Sequence, residues 1–199
     1  RGALPGEAIV ARLAAAAKRP YADLLAEHVR DYQNLFQQAS LSLGGGPAPD
    51  VATDERLENY RKTGVDNGLE ELMFQYGRYL LISSSRGGLP ANLQGKWNNS
   101  NKPPWRCDYH TDVNIQMNYW LADVTGLGEC VIPLATWIES IRAVRREATR
   151  KEFGVRGWLV RAECGLFGGS TWEWVPGCSA WMLQNVYDHY RFSGDKEYL

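Results

Sequence analysis

The sequence predicts an all-α fold with long loops. Three observations carry that prediction. Apolar residues recur at three- and four-residue spacing in several stretches. Glycine and proline clusters interrupt them. No segment alternates strongly, and residues 155–160 are the best strand candidate. Leu13 and the alanines at 14–17 predict a short helix ending before Pro20. Leu24, Leu25, His28, Tyr32, Leu35 and Phe36 predict a helix over 21–38, with His28 packed in its apolar face. The run Gly44, Gly45, Gly46, Pro47 ends that regularity, and no Gly-Lys-Ser/Thr follows to make it a phosphate loop. Thr53 is placed to cap a short helix through Arg61. Leu69, Leu72, Met73, Tyr76 and Leu80 predict a helix over 69–82, and Met117, Tyr119 and Leu121 one over 114–123. Leu127, Val131, Leu134, Ile138 and Ile141 predict a helix over 128–151, which requires Pro133 in its first turn. Leu183, Val186, Tyr187 and Tyr190 predict the last, over 177–192. The helices come in pairs, as in helical-hairpin architectures.

Composition narrows the function classes. A chain of 199 residues with 44% apolar content can form a real core. Its 22 basic and 23 acidic residues give a net charge of −1, which argues against nucleic acid as the main partner. The series Arg142, Arg145, Arg146, Arg150 and Lys151 reads as a solvated helix face. No apolar run approaches the roughly 20 residues of a membrane span, and no stretch has the layout of a signal peptide. Cys107, Cys130, Cys164 and Cys178 form no CxxC or Cys/His cluster, so a structural zinc site is not expected. Buried free thiols are the favoured reading, although four cysteines permit three pairings.

All eight tryptophans lie between Trp97 and Trp181. The aperiodic stretch from Ser83 to Trp105 carries Trp97 and Trp105 among Asn92, Gln94, Asn98, Asn99 and Asn101. Loops this long inside a domain are commonly functional. Aromatic faces stack on pyranose C–H faces, and amides both donate to and accept from hydroxyls, so this is sugar-binding chemistry. A second loop, 161–175, repeats it with Glu163, Trp172, Glu173 and Trp174.

Between these loops lies Asp108-Tyr109-His110-Thr111-Asp112-Val113-Asn114. On a helix, His110 and Asn114 share a face, but Asp112 points about 200° away. On an extended segment all three line one side. Joint use in one site therefore requires 108–114 to be extended or irregular, with the helix beginning near Asn114, a good N-cap residue. His110 with Asp108 and Asp112 is only a weak metal pattern. Ser83-Ser84-Ser85 lacks the GxSxG of a nucleophile elbow. His189, beside Asp188 and Tyr190, reads as a surface or helix-packing residue.

The stretches FQYGRYLLISSSR (74–86), LPANLQGKWN (89–98), DYHTDVNIQMNYW (108–120), GSTWEWVPGCSAW (169–181) and GDKEYL (194–199) together resemble the catalytic domain of glycoside hydrolase family 95, the 1,2-α-L-fucosidase family. The resemblance runs from about Tyr21 to the end. It implies part of an (α/α)6 barrel with the active site in loops at one end. Residues 1–65 would be a helical linker segment. Residues 66–199 would be the first third or so of the barrel, truncated at the C-terminus. It also implies inversion at the anomeric carbon, with no metal or organic cofactor.

Inversion places an acid and a water-activating base roughly 6.5–9.5 Å apart across the sugar. In the resembled family the water is activated by asparagines supported by an aspartate. Asp112 and Asn114 match those asparagines, with Asp112 a departure, and His110 matches a histidine that contacts fucose. The resemblance thus marks Asp112 and Asn114 as catalytic. His110, Asn92, Gln94, Trp97, Glu173 and Trp181 are the substrate-binding candidates. The family's general acid lies downstream of GDKEYL, so the isolated chain is expected to be inactive and to need the rest of its barrel. The expected partner is a fucosylated or related glycan, in a secreted or periplasmic setting. An α-L-galactosidase and a non-catalytic carbohydrate-binding module are the alternatives.

Overall fold

The computed structural model describes residues 6–198, and the fold is mostly helical. The chain divides into two units after Gln37. The first holds α1 (Gly6–Ala17) and α2 (Tyr21–Phe36). Of the residues in α2 only Leu35 is buried, so His28 is exposed and not packed as the periodicity predicts.

The second unit begins with α3 (Thr53–Thr63) and α4 (Asn67–Ser84). Thr53 is the first helical residue of α3 and not its cap. Ala52 holds the cap position, with no side-chain bond. In α4 the cap is Asp66, whose carboxylate accepts from the Leu69 N–H at 2.9 Å and takes the Arg56 guanidinium on both oxygens. Helix α5 (Asn114–Val124) follows the long loop. A 3₁₀ turn (Gly128–Val131) then leads into α6 (Ile132–Phe153). Pro133 falls in the first turn of α6, where its missing N–H costs nothing. Gly154, in the left-handed conformation at φ 69°, ends α6 and donates to the Arg150 carbonyl. The last helix is α7 (Cys178–Ser193).

The core of this unit lies among α4, α5, α6 and α7. Ile115, Tyr119 and Ala122 of α5 are buried with Leu134 and Ile141 of α6 and Met182 of α7. Tyr119 also ties the loop to the core: its hydroxyl accepts from the Ala91 N–H and pairs with Ser85. His189 of α7 packs on α5, its Nδ1 2.7 Å from Asp123. Arg145 departs from the solvated face expected of its series. It is buried and donates to the carbonyls of Leu159 and Gly168.

The described strands lie elsewhere than 155–160. They are β1 (Tyr109–His110), β2 (Glu163–Cys164) and β3 (Ser170–Thr171), an antiparallel sheet in that order. Tyr109 pairs with Cys164 and His110 with Glu163; Glu163 in turn pairs with Thr171. The backbone near 160 bonds to side chains instead. Leu159 N–H donates to Thr149, Val160 N–H to Ser179 and Arg161 N–H to Ser170.

Candidate functional site

This small sheet sorts side chains by strand periodicity. Tyr109 and Cys164 face inward, and the Tyr109 ring lies 4.4 Å from that of Trp137 on α6. His110, Glu163 and Thr171 form a row on the other face. Asp108, two residues before His110, joins them, with Oδ2 3.1 Å from His110 Nδ1. Glu163 is buried, and its Oε2 accepts from Arg106 at 3.1 Å and from Thr171 at 3.0 Å. Burial raises the Asp108 carboxyl above the usual carboxylate range, against the pull of the His110 hydrogen bond. Asp108 Oδ1 is buried with no hydrogen-bond partner.

The loops converge by backbone bonds. Leu93 N–H donates to the Asp108 carbonyl at 3.0 Å. Thr111 N–H donates to Ala162, and Ala162 N–H to Glu173, extending the ladder past the sheet. Five non-glycine residues have positive φ among the described residues: Trp105, Arg106, Cys107, Val113 and Trp172. They all flank this row in sequence or across the sheet. Such conformations cost on the order of 1–3 kcal/mol each and concentrate where a site needs them. At Val113, φ 76° is a marked outlier for a β-branched residue, and it sits at the cap of α5.

The strained turn places two predicted residues. Residues 111–113 form a turn and α5 begins at Asn114, so the segment is irregular up to that residue. Asn114 is the first helical residue and Val113 takes the cap position expected of it. Asn114 is exposed and Asp112 half-buried, near Cys178. Neither side chain hydrogen-bonds to another described residue.

The remaining candidates separate. Asn92, Arg106, Asp108, Glu163 and Thr171 line a cleft of about 460 Å³. Gln94 and Trp97 line a different groove, of about 720 Å³, with Tyr79 of α4 and Asn118 of α5. There the Trp97 ring tilts against Tyr79 at 6.3 Å, and Gln94 Oε1 accepts from the Cys107 thiol. Glu173 is exposed, and its backbone carbonyl is what joins the ladder. Trp181 is half-buried on α7, its ring 6.2 Å from that of Trp120. No three His, Cys, Asp or Glu residues are placed to hold a metal among the described residues. Sequence reasoning did not single out Arg106 or Thr171. It named Asp108 only as a weak metal ligand, although the two-residue spacing 108–110–112–114 already marked it.

The helical unit thus presents a carboxylate and imidazole row beside exposed tryptophans. The chain belongs to glycosyl hydrolase family 95, whose catalytic-domain profile matches residues 20–199. It is 37% identical to "Alpha-L-fucosidase 2" of Arabidopsis thaliana, over 98% of this chain and 25% of that protein. It is 42% identical to "Probable alpha-fucosidase A" of Aspergillus niger, over 90% of this chain and 24% of that protein. A protein of the same name from Aspergillus oryzae is 36% identical over 90% of this chain. The chain thus spans about a quarter of the length of the curated relatives it matches. No described helix is long and apolar enough to cross a membrane.

Proposed function

We propose that this chain supplies the water-activating side of an inverting glycosidase acting on terminal α-L-fucosyl residues. The observation that supports the reading is the strained turn at Val113, whose neighbours Asp112 and Asn114 make no side-chain hydrogen bond to another described residue. In the proposed mechanism Asp112 takes a proton from water and Asn114 orients that water through its amide. A general acid beyond this chain protonates the leaving oxygen. A carboxylate is a stronger base than the amide it replaces, so Asp112 acts directly. His110, held at Nδ1 by Asp108, turns its other ring nitrogen to the sugar. Asn92, Gln94, Trp97, Glu173 and Trp181 serve as substrate contacts.

In this reading, 66–199 provides the opening helices of an (α/α)6 barrel, and 1–65 leads into it as a helical linker segment. The rest of the barrel is the partner that completes the site. From the family resemblance, the proposed setting is secreted or periplasmic. The test is fucose release from a 2′-fucosylated oligosaccharide followed by proton NMR, using a protein that continues past Leu199. The first product signal is expected to be β-L-fucose, and an α-anomer signal overturns inversion. Release of L-galactose in preference to fucose from matched substrates turns the reading to an α-L-galactosidase. Wild-type turnover by Asp112→Asn rules out Asp112 as the direct base. The 199-residue chain alone is expected to give no turnover.

A further inference from the structure

We propose that Trp105 and Trp172 form a second sugar subsite, for the pyranose ring that carries the fucosyl residue. This rests on the fucosidase reading and extends it to the leaving group. The two rings come from different loops and meet edge to face, with centroids 5.8 Å apart at 66°. The Trp105 ring also stands 5.7 Å from His110, at 64°. The three rings therefore make a corner that opens beside the imidazole assigned to the fucose.

Exposure distinguishes this pair from core tryptophans. Trp137 is 2% exposed, whereas Trp105 and Trp172 are 54% and 55% exposed. Both also hold positive φ, 53° and 71°, a conformation that a bulky side chain rarely adopts. The fold accepts that strain twice to present two rings to one corner. Polar groups stand next to both. Arg106 follows Trp105 and Thr171 precedes Trp172, and both contact Glu163. The buried Glu163 carboxylate anchors one end of the Arg106 guanidinium, and the rest of that side chain is exposed. Arginine carries five N–H donors, so free donors remain for sugar hydroxyls. An aromatic corner with a fixed donor at its rim suits a neutral pyranose: ring C–H groups stack on an indole face while hydroxyls meet the guanidinium.

The test is an NMR titration of the protein that continues past Leu199 and of its Trp105→Ala and Trp172→Ala variants, with lactose and L-fucose as separate probes. Lactose is 2′-fucosyllactose without its fucose, so it reports on this subsite alone. Each substitution is expected to weaken lactose binding about tenfold and to leave L-fucose affinity within about twofold. Trp105→Tyr keeps a ring and is expected to restore most of the lactose affinity, which a folding defect does not allow. Lactose binding unchanged in both alanine variants overturns the subsite, as does L-fucose binding without any lactose binding. Lactose binding that falls in the variants while L-fucose fails to bind supports the subsite and overturns the fucosidase reading instead.

Discussion

His110 Nδ1 and Asp108 Oδ2 stand 3.1 Å apart on the outward face of β1, both side chains largely buried. The pair sets the imidazole's orientation, since a carboxylate on Nδ1 fixes which nitrogen faces a ligand. It also leaves Asp108 in a costly state, because burial raises its pKa and Oδ1 has no partner. A carboxyl raised in the folded state stabilises most fully below its ordinary value near ~3.9. That contribution is lost as pH rises through the raised folded value. Asp108→Asn removes the ionisation and keeps an acceptor for His110. The variant is expected to gain stability relative to wild type as pH rises from 4 to 7. Thermal melts across that range check it, and a difference that stays constant with pH contradicts it.

The Asp123–His189 pair joins α5 to α7, and Gly128 sits against it. A Cβ on Gly128 would lie 2.9 Å from Asp123 Oδ1 and 3.1 Å from His189 Cε1. Both contacts belong to side chains already held by their mutual hydrogen bond. Gly128→Ala is therefore expected to destabilise by about 1–3 kcal/mol, as overpacking does. At this chain length each kcal/mol lowers the melting temperature by about 2–4 °C. The double variant Gly128→Ala/His189→Ala is expected to lose less than the sum of the single changes, since His189 is one of the two clashing partners. Strict additivity in denaturant melts counts against the contact.

Asp66 has two tasks, as cap of α4 and as partner of Arg56. The Arg56 hydrogen bond, aided by the Leu69 N–H, holds its carboxyl below the ordinary range. A lowered carboxyl stabilises above its ordinary value near ~3.9 and loses that contribution as pH falls through the folded value. Asp66→Ala is expected to lower the melting temperature by several degrees at pH 7, with a smaller gap at pH 3. Asp66→Asn keeps a cap acceptor and is expected to fall between. Calorimetry at the two pH values decides it, and equal losses at both remove the electrostatic part.

The helices were legible because each carries an apolar stripe long enough for the 3.6-residue period to stand out. Leu69 to Leu80 and Leu183 to Tyr190 are of this kind, and both helices lie within two residues of their predicted ends. The break before Asn114 was legible only conditionally: joint use of His110, Asp112 and Asn114 in one site would require it, since no helix aims all three the same way. The sheet was not legible. Strands of two residues have no room for alternation, and Glu163 reads locally as a loop carboxylate. Its partner Arg106 lies 57 residues away, a separation no local pattern spans. Residues 155–160 look like a strand because they include Val155 and Val160. Yet Leu159 and Val160 give their N–H groups to Thr149 and Ser179, side chains that occupy the place of a neighbouring strand.

The four cysteines are all free thiols, and they differ in access. Cys130, Cys164 and Cys178 are buried, and burial pushes the Cys130 and Cys164 thiols up to about 11. At pH 8 a thiol with that pKa is about one part in a thousand thiolate, the form that attacks an alkylating reagent. Cys107 is half-buried, in the strained turn after Trp105. Iodoacetamide is expected to label Cys107 first in the folded protein and all four residues in guanidinium, read by peptide mass spectrometry. Cys164 stands opposite Tyr109 in the sheet, so labelling there requires β1 and β2 to part. Early modification of Cys164 would mean that the sheet opens readily and does not hold His110 opposite Glu163. Modification at Cys107 alone would leave the sheet closed and break only the thiol's hydrogen bond to Gln94.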